Sequence, residues 1–569
     1  DGIWRCTPDP GGKGIDKRWY NGLLQDRPIA VPGSWNEQYR DLFDYFGVLW
    51  YEREIFIGSE LSGKRLLLRI GSACNSSRVW INSVEAGGGW TAHLPLELDV
   101  SDLVEIGKEN RITIRVDATL DPWGLPPAVL DAGEAREGFF NSNPPVSYDF
   151  YPYGGIHRSV KLLALPSVTI DNMVITSELK KGSARISCTI GLCKPFQGEV
   201  ILELLDTNVT PLRIPIDGTS TTASLTLDQP ELWDIDNPYL YRLGADLISP
   251  TGELVDRVSE RFGVRTIEIR GSRLLLNNHE IFLKGFGKHE DFFISGRAYN
   301  PAVMIKDFDL LGWTGANSFR TSHYPYAEEV LDQADELGIL VIGETPFVSL
   351  NERLYTPEKS IEAGDLLRRM IRRDRNHPSL IIWSVANEPN IESDAGDNFF
   401  RRLIATVREE DPTRPVTYVA HREPEDNPPL AEADLVCINK YFGWYEAPGD
   451  LERADELLRS CLDRYYNAFG KPVLMAEFGA DAVAGTHAEP PLMFSEEFQS
   501  EMIRRQYKVL REKEWVIGAH LWAFADFRTA MSISRVIVNR KGVFTRDREP
   551  KLAAHTIRKL WSSVKGGNL

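Results

Sequence analysis

Two glutamates each stand where a run of apolar residues stops. Asn376-His377-Pro378-Ser379 leads into Leu380-Ile381-Ile382-Trp383-Ser384-Val385-Ala386, then Asn387-Glu388-Pro389. The run reads as a strand buried on both faces, and Pro389 forbids its continuation, so Glu388 is left at the strand's rim. Pro472-Val473-Leu474-Met475-Ala476 leads in the same way to Glu477, and Phe478-Gly479 turn the chain away. At the C-terminal rim of a parallel barrel a carboxyl group is placed for chemistry. Two such acids suit one reaction above all: one attacks a sugar's anomeric carbon and the other shuttles the proton, with retention of configuration. Glu344, in Gly343-Glu344, closes another apolar run and by spacing alone could claim either role. It is placed third, as a hydrogen-bonding or structural acid.

The elements that must hold these acids are legible as a change of pattern. The chain has 569 residues, too many for one core. Its first part carries short alternating runs such as Arg65–Ile70, Val79-Trp80-Ile81 and Arg111–Val116, which predict a β-sandwich over residues 1–166. A second set, with strands expected at Ala184–Ile190, Glu199–Leu205 and Ala223–Leu227, predicts an immunoglobulin-like sandwich over 167–266. From 267 to 569 strands and helices alternate. Expected strand ends at Lys288-His289-Glu290, Arg320–His323, Glu344, Glu388, Ala420-His421, Asn439-Lys440-Tyr441, Glu477 and Trp522 fit a (β/α)8 barrel, with helices near Ala327–Leu337 and Ile361–Asp374. Glu388 and Glu477 then end strands four and seven.

Composition narrows the partners. Hydrophobic residues make up 42% of the chain and the mean hydropathy is -0.27, values of an ordinary globular protein. No apolar run reaches the roughly 18 residues of a spanning helix, so no membrane partner is expected. A net charge of -17 excludes nucleic acid, whose phosphates demand a basic face. Cys6, Cys74, Cys188, Cys193, Cys437 and Cys461 lack any metal-ligand spacing and are expected to be mostly buried thiols. The sequons Asn75-Ser76-Ser77 and Asn208-Val209-Thr210, and an opening on Asp1 compatible with a removed leader, lean the expectation toward secretion.

Longer motifs carry a resemblance over essentially the whole chain: Val31-Pro32-Gly33-Ser34-Trp35-Asn36, Tyr153-Gly154-Gly155-Ile156-His157-Arg158 and Lys541-Gly542-Val543-Phe544-Thr545-Arg546-Asp547-Arg548. They are similar to glycoside hydrolase family 2, and within it to the β-glucuronidases. The resemblance implies a jelly roll, an immunoglobulin-like sandwich and a C-terminal barrel, with Glu388 as acid/base and Glu477 as nucleophile of a retaining exo-β-D-glucuronidase that uses no metal or organic cofactor. A β-galactosidase, β-mannosidase or galacturonidase on the same scaffold is the alternative. A carbohydrate-binding scaffold with a decayed site is the rival of another class.

By that resemblance Asn539-Arg540-Lys541 holds the pair, Asn539 and Lys541, that grips the sugar carboxylate, and Arg535 adds a positive charge nearby. A carboxylate taken out of water needs a cation and a donor to offset its desolvation. His323 is implied as a sugar contact, Tyr441 and Tyr445 as phenols near the nucleophile and the carboxylate, and Trp522 as the floor under the ring; Asn387, beside Glu388, is placed by its position to hydrogen-bond a sugar hydroxyl. Asp149 would reach into the pocket from the first domain. The segment from Pro346 to Asp365 is short where some gut bacterial relatives carry a long insertion, which implies an open entrance for bulky or oligosaccharide aglycones. A homo-oligomer acting on a glucuronide is the expected assembly.

Overall fold

The computed structural model describes residues 1–128 and 142–562. Its first body is a β-sandwich. One antiparallel sheet runs, side by side, Arg27–Val31, Gly2–Asp9, Val48–Ile57, Lys108–Asp117, Ser76–Ile81 and Val84–Trp90, and Val160–Leu165, Arg65–Ile70 and Leu96–Asp99 form a second. The period of two does the packing: Leu66, Leu68 and Ile70 from one sheet meet Ile112, Ile114 and Val116 from the other in a shared core.

The second body is also antiparallel, with its own core around Ile186, Val200, Leu202 and Leu243. One expectation fails here. Ala184–Ile190 and Glu199–Leu205 are not separate strands but parts of a single strand, Ser183–Leu204, whose partner Leu212–Asp228 shifts register between Gly191 and Phe196. Gly191 and Pro195 lie at an irregularity that the ladder tolerates, as Pro is tolerated at bulges.

The third body is a closed barrel of eight parallel strands: β1 (Leu283–Lys288), β2 (Ser318–Thr321), β3 (Leu340–Glu344), β4 (Leu380–Asn387), β5 (Val416–Ala420), β6 (Val436–Asn439), β7 (Val473–Glu477) and β8 (Val516–Trp522). Every residue of β4 and β7 is buried. That explains why these strands read as unbroken apolar runs rather than as alternating ones. Side chains at the lower interior, Leu340, Ile342, Ile381, Cys437 and Leu474, share a cluster with Leu274 and Leu276 from the segment that enters the barrel and with Trp233 from the second sandwich. The helices start where side chains satisfy their first N–H groups: Thr356 caps Pro357–Asp374, Ser393 caps Asp394–Glu410 and Ser495 caps Glu496–Arg511. The first of these begins four residues before the expected Ile361, at a Thr-Pro start signal. All six cysteines are free thiols, and all but Cys193 are buried.

Candidate active site

The C-terminal ends of the barrel strands and a segment of the first sandwich enclose a cavity of about 380 Å³. Asp149, His323, Asn387, Glu388, Tyr441, Tyr445, Glu477, Trp522, Arg535, Asn539 and Lys541 all line it, while Glu344, the third acid considered from the sequence, does not.

Glu477, the last residue of β7, is buried and held from two sides. The Arg320 guanidinium, at the end of β2 and fully buried, donates Nη2 to Glu477 Oε1 and Nη1 to both oxygens of Glu344 at 2.7 and 2.8 Å. The Tyr441 hydroxyl donates to Glu477 Oε2 at 2.6 Å. Burial pushes the Glu477 carboxyl above its ordinary value and the charge of Glu388 adds to this, while Arg320, His323 and the Tyr441 hydroxyl oppose it. Burial, reinforced by Glu477, keeps the Tyr441 phenol far above its ordinary value, so it remains a donor. Glu344 is neither nucleophile nor acid in this geometry. It accepts from Arg320, from His323 at 2.8 Å and from Ser384 Oγ at 2.8 Å, and against the cost of burial Arg320 and His323 hold it below its ordinary value. Its place is structural, tying β2, β3 and β4 together.

Glu388 follows β4 with a left-handed backbone, φ 48°. A non-glycine residue there stores on the order of 1–3 kcal/mol of strain, a cost that clusters at functional positions. Its N–H is fixed to Val419 O at 2.8 Å, and Asn439 Nδ2 donates to Glu388 Oε1 at 2.8 Å and to Asn387 Oδ1 at 3.1 Å. One carboxylate oxygen is thus anchored, and the residue lines the cavity. Beneath them, the Trp522 indole stacks on His323 with ring centroids 5.1 Å apart.

The charged groups at the other end of the cavity are engaged with one another. Lys541, 1% exposed, pairs its ammonium with Asp481 and donates to the Tyr445 hydroxyl at 3.0 Å. The same ammonium lies 4.8, 5.1 and 5.6 Å from the ring centroids of Tyr445, Trp444 and Tyr441, a cage of π faces. Despite burial, Lys541 and Arg535 hold the Asp481 carboxyl below its ordinary value. Arg535 grips Asp149 with two hydrogen bonds, 2.9 and 2.6 Å, and Asn539 Nδ2 donates to Asp149 Oδ2 at 2.6 Å. The sandwich therefore supplies a carboxylate to the barrel's cationic cluster.

Arg320, Asn439, Asp481 and Trp444 carried no expected role. Arg320 and Asn439 stand at expected strand ends, so their positions were visible while their partners were not. Asp481 follows Glu477 by four residues and Trp444 adjoins Tyr445, but nothing local tells that both face Lys541. Among the described residues the histidine and acid group able to hold a metal is Asp332, Asp335 and His377. It lies at the other end of the strands, before β4, where His377 pairs with Asp335 and Arg261 with Asp332.

Residues 267–566 match the glycosyl hydrolases family 2 TIM barrel domain, 1–166 the sugar binding domain of that family and 168–265 a further family 2 domain. A β-glucuronidase of Paenibacillus borealis is 40% identical over 99% of this chain and 96% of its own, and that of Homo sapiens is 35% identical over 99% and 90%. Among solved structures, a β-D-glucuronidase of Dictyoglomus thermophilum superposes with a TM-score of 0.89 at 38% identity, covering 99% of this chain and 96% of its own. A β-glucuronidase of Ruminococcus gnavus in complex with D-glucuronic acid gives 0.90 at 34%, covering 99% and 96%.

Proposed function

Because this chain belongs to glycosyl hydrolase family 2, we propose that it is a retaining exo-β-D-glucuronidase, with Glu477 as nucleophile and Glu388 as acid/base. The observation that carries the reading is the buried Lys541 ammonium lining the same cavity as the two glutamates. An ammonium has three N–H donors, and here Asp481 and Tyr445 take two. The third serves the carboxylate of a terminal glucuronate, with the amide of Asn539 and the guanidinium of Arg535 beside it. A neutral sugar would leave that third donor without a charged acceptor.

In the first step Glu477 attacks the anomeric carbon through an oxocarbenium-like transition state while Glu388 gives its proton to the leaving oxygen. In the second, Glu388 takes a proton from water, which displaces Glu477 and releases β-D-glucuronic acid. Arg320 and Tyr441 orient Glu477 and stabilise its charge as the glycosyl bond breaks. Trp522 and His323 carry the ring, and the Asn439 bond anchors one oxygen of Glu388.

The test is a panel of nitrophenyl glycosides followed by proton NMR of the first product. Turnover of the glucuronide far above the glucoside, galactoside and mannoside, with the β-anomer of glucuronic acid appearing first, is the expected result. An α-anomer as first product would overturn the retaining mechanism, and a preferred neutral glycoside would overturn the substrate.

The Tyr441 bond gives a prediction with a sign. A hydrogen bond donated to a carboxylate favours its charged form, so Tyr441→Phe raises the affinity of Glu477 for a proton. The nucleophile must be ionised, so kcat/KM on the acid side falls as Glu477 protonates, and in Tyr441→Phe this fall begins at higher pH than in the parent. Profiles of kcat/KM against pH measure it. Coincident acid limbs would remove Tyr441 from the nucleophile.

A further inference from the structure

The turn that carries the carboxylate-binding pair is held from behind by charged groups that never reach the cavity. The Arg540 N–H, between Asn539 and Lys541, donates to Asp481 Oδ1 at 2.9 Å, and the Lys541 N–H donates to Asn539 Oδ1 at 2.9 Å. Behind them the Lys551 ammonium spends its three donors on Arg540 O at 2.9 Å, Ala482 O at 2.8 Å and Asp526 Oδ1 at 2.7 Å. Arg540 O also accepts from Ala482 N at 3.0 Å, so one cation ties the turn bearing Lys541 to the turn bearing Asp481. Both Lys551 and Asp526 have fully buried side chains, and neither lines the cavity.

A buried ion pair is poor evidence of stabilisation, because apolar residues of like volume often serve as well or better. Here both partners titrate against their charges. Burial pushes the Asp526 carboxyl up to about 6 and the Lys551 ammonium down, each in spite of the other. What Lys551 supplies that an apolar residue cannot is three directed donors. Two of them fix the carbonyls flanking the Lys541–Asp481 pair.

We infer that Lys551 and Asp526 are positioning residues for uronate recognition: they set the register between the Asn539-Arg540-Lys541 turn and Asp481, and through it the point at which the Lys541 ammonium meets a sugar carboxylate. The inference rests on the reading of Lys541 as the group that binds that carboxylate. A displacement of about 1 Å at such a group costs on the order of 100-fold.

The experiment compares the parent with the double variant Lys551→Met/Asp526→Leu, which removes both charges at similar volume, and with Asp526→Asn, which keeps an acceptor for Lys551. Three quantities are read: KM and kcat for a nitrophenyl glucuronide, the inhibition constant of D-glucuronate, and that of a neutral imino sugar with the glucose configuration. The double variant is expected to raise KM and the glucuronate constant roughly 10- to 100-fold, with kcat and the neutral inhibitor's constant moving only a few-fold. Asp526→Asn is expected to show a smaller loss in the same ratio, and it carries the comparison where the double variant does not fold. Equal weakening of both inhibitors would mean that the pair merely supports the fold, and no weakening of glucuronate would leave it without a part in recognition. A parent that binds the neutral inhibitor and shows no preference for glucuronides would instead overturn the reading of Lys541, and this inference with it.

Discussion

Replacing Glu477 by glutamine is expected to remove hydrolysis of every glucuronide, by on the order of 10⁴- to 10⁶-fold in kcat, as the loss of a nucleophile does elsewhere. The amide cannot form the glycosyl ester, and it leaves the Arg320 guanidinium with one carboxylate, Glu344, in place of two. The same change at Glu388 should behave differently. Glu388→Gln cannot protonate a leaving oxygen, so its effect grows with the basicity of the aglycone: large for an alkyl glucuronide, small for the first step with an activated phenol. A series of aryl glucuronides of graded phenol acidity measures this as the slope of log kcat/KM against leaving-group pKa. A steep slope in Glu388→Gln with a shallow one in the parent is the expected pair, and parallel slopes would show that Glu388 is not the proton donor.

The second large effect belongs to Lys541. Removing one member of a buried, hydrogen-bonded charge pair typically costs roughly 2–5 kcal/mol, which is on the order of 30-fold to several thousand-fold. Lys541→Ala should lower kcat/KM for nitrophenyl glucuronide over that range and leave the matching glucoside, however poor, nearly unchanged. The Asp481 carboxylate complicates the single variant, because it too would be left buried and unpaired. Lys541→Met combined with Asp481→Asn removes both charges, restores the balance and should melt closer to the parent. The loss on the glucuronide should persist in the double variant. If the double variant regained glucuronide activity, the single variant's defect would be one of folding and the ammonium would have no part in binding. Long-range attraction does not rescue the anion either, since the chain carries a net charge of -17 and salt screens such fields beyond about 8 Å. Recognition is local.

The barrel was the most legible part of the molecule in sequence, because strands buried on both faces leave continuous apolar runs, and each run ends on a polar residue where the strand leaves the barrel. Glu388, Glu477 and Glu344 were found from those ends, while the role of Trp522 came from the resemblance. Asn539, Lys541, Arg535 and Asp149 were reached only through a resemblance, since a short basic turn and an isolated aspartate have no local pattern that sets them apart. What stayed hidden was pairing. Arg320 joins Glu344 and Glu477 across 24 and 157 residues of sequence, and Lys541 meets Asp481 across 60. No window of periodicity reports a contact of that range. The long strand Ser183–Leu204 was read as two for the related reason that its continuity rests on cross-strand partners distant in sequence.

The bond between Asp149 and Arg535 also sets when in the life of the chain a site can exist. The two residues are separated by 386 positions, and at about 5–20 residues per second a ribosome needs roughly 20 to 80 s between them. Through that interval the sandwich can fold and wait with its carboxylate exposed, while a barrel of non-local parallel pairings remains open until β8 closes it. The Asp149–Arg535 contact can therefore form only in the final stretch of synthesis. Chains halted on the ribosome before Arg535 should bind no glucuronate even with both glutamates present, and binding by such chains would show that the barrel matures without its oldest partner.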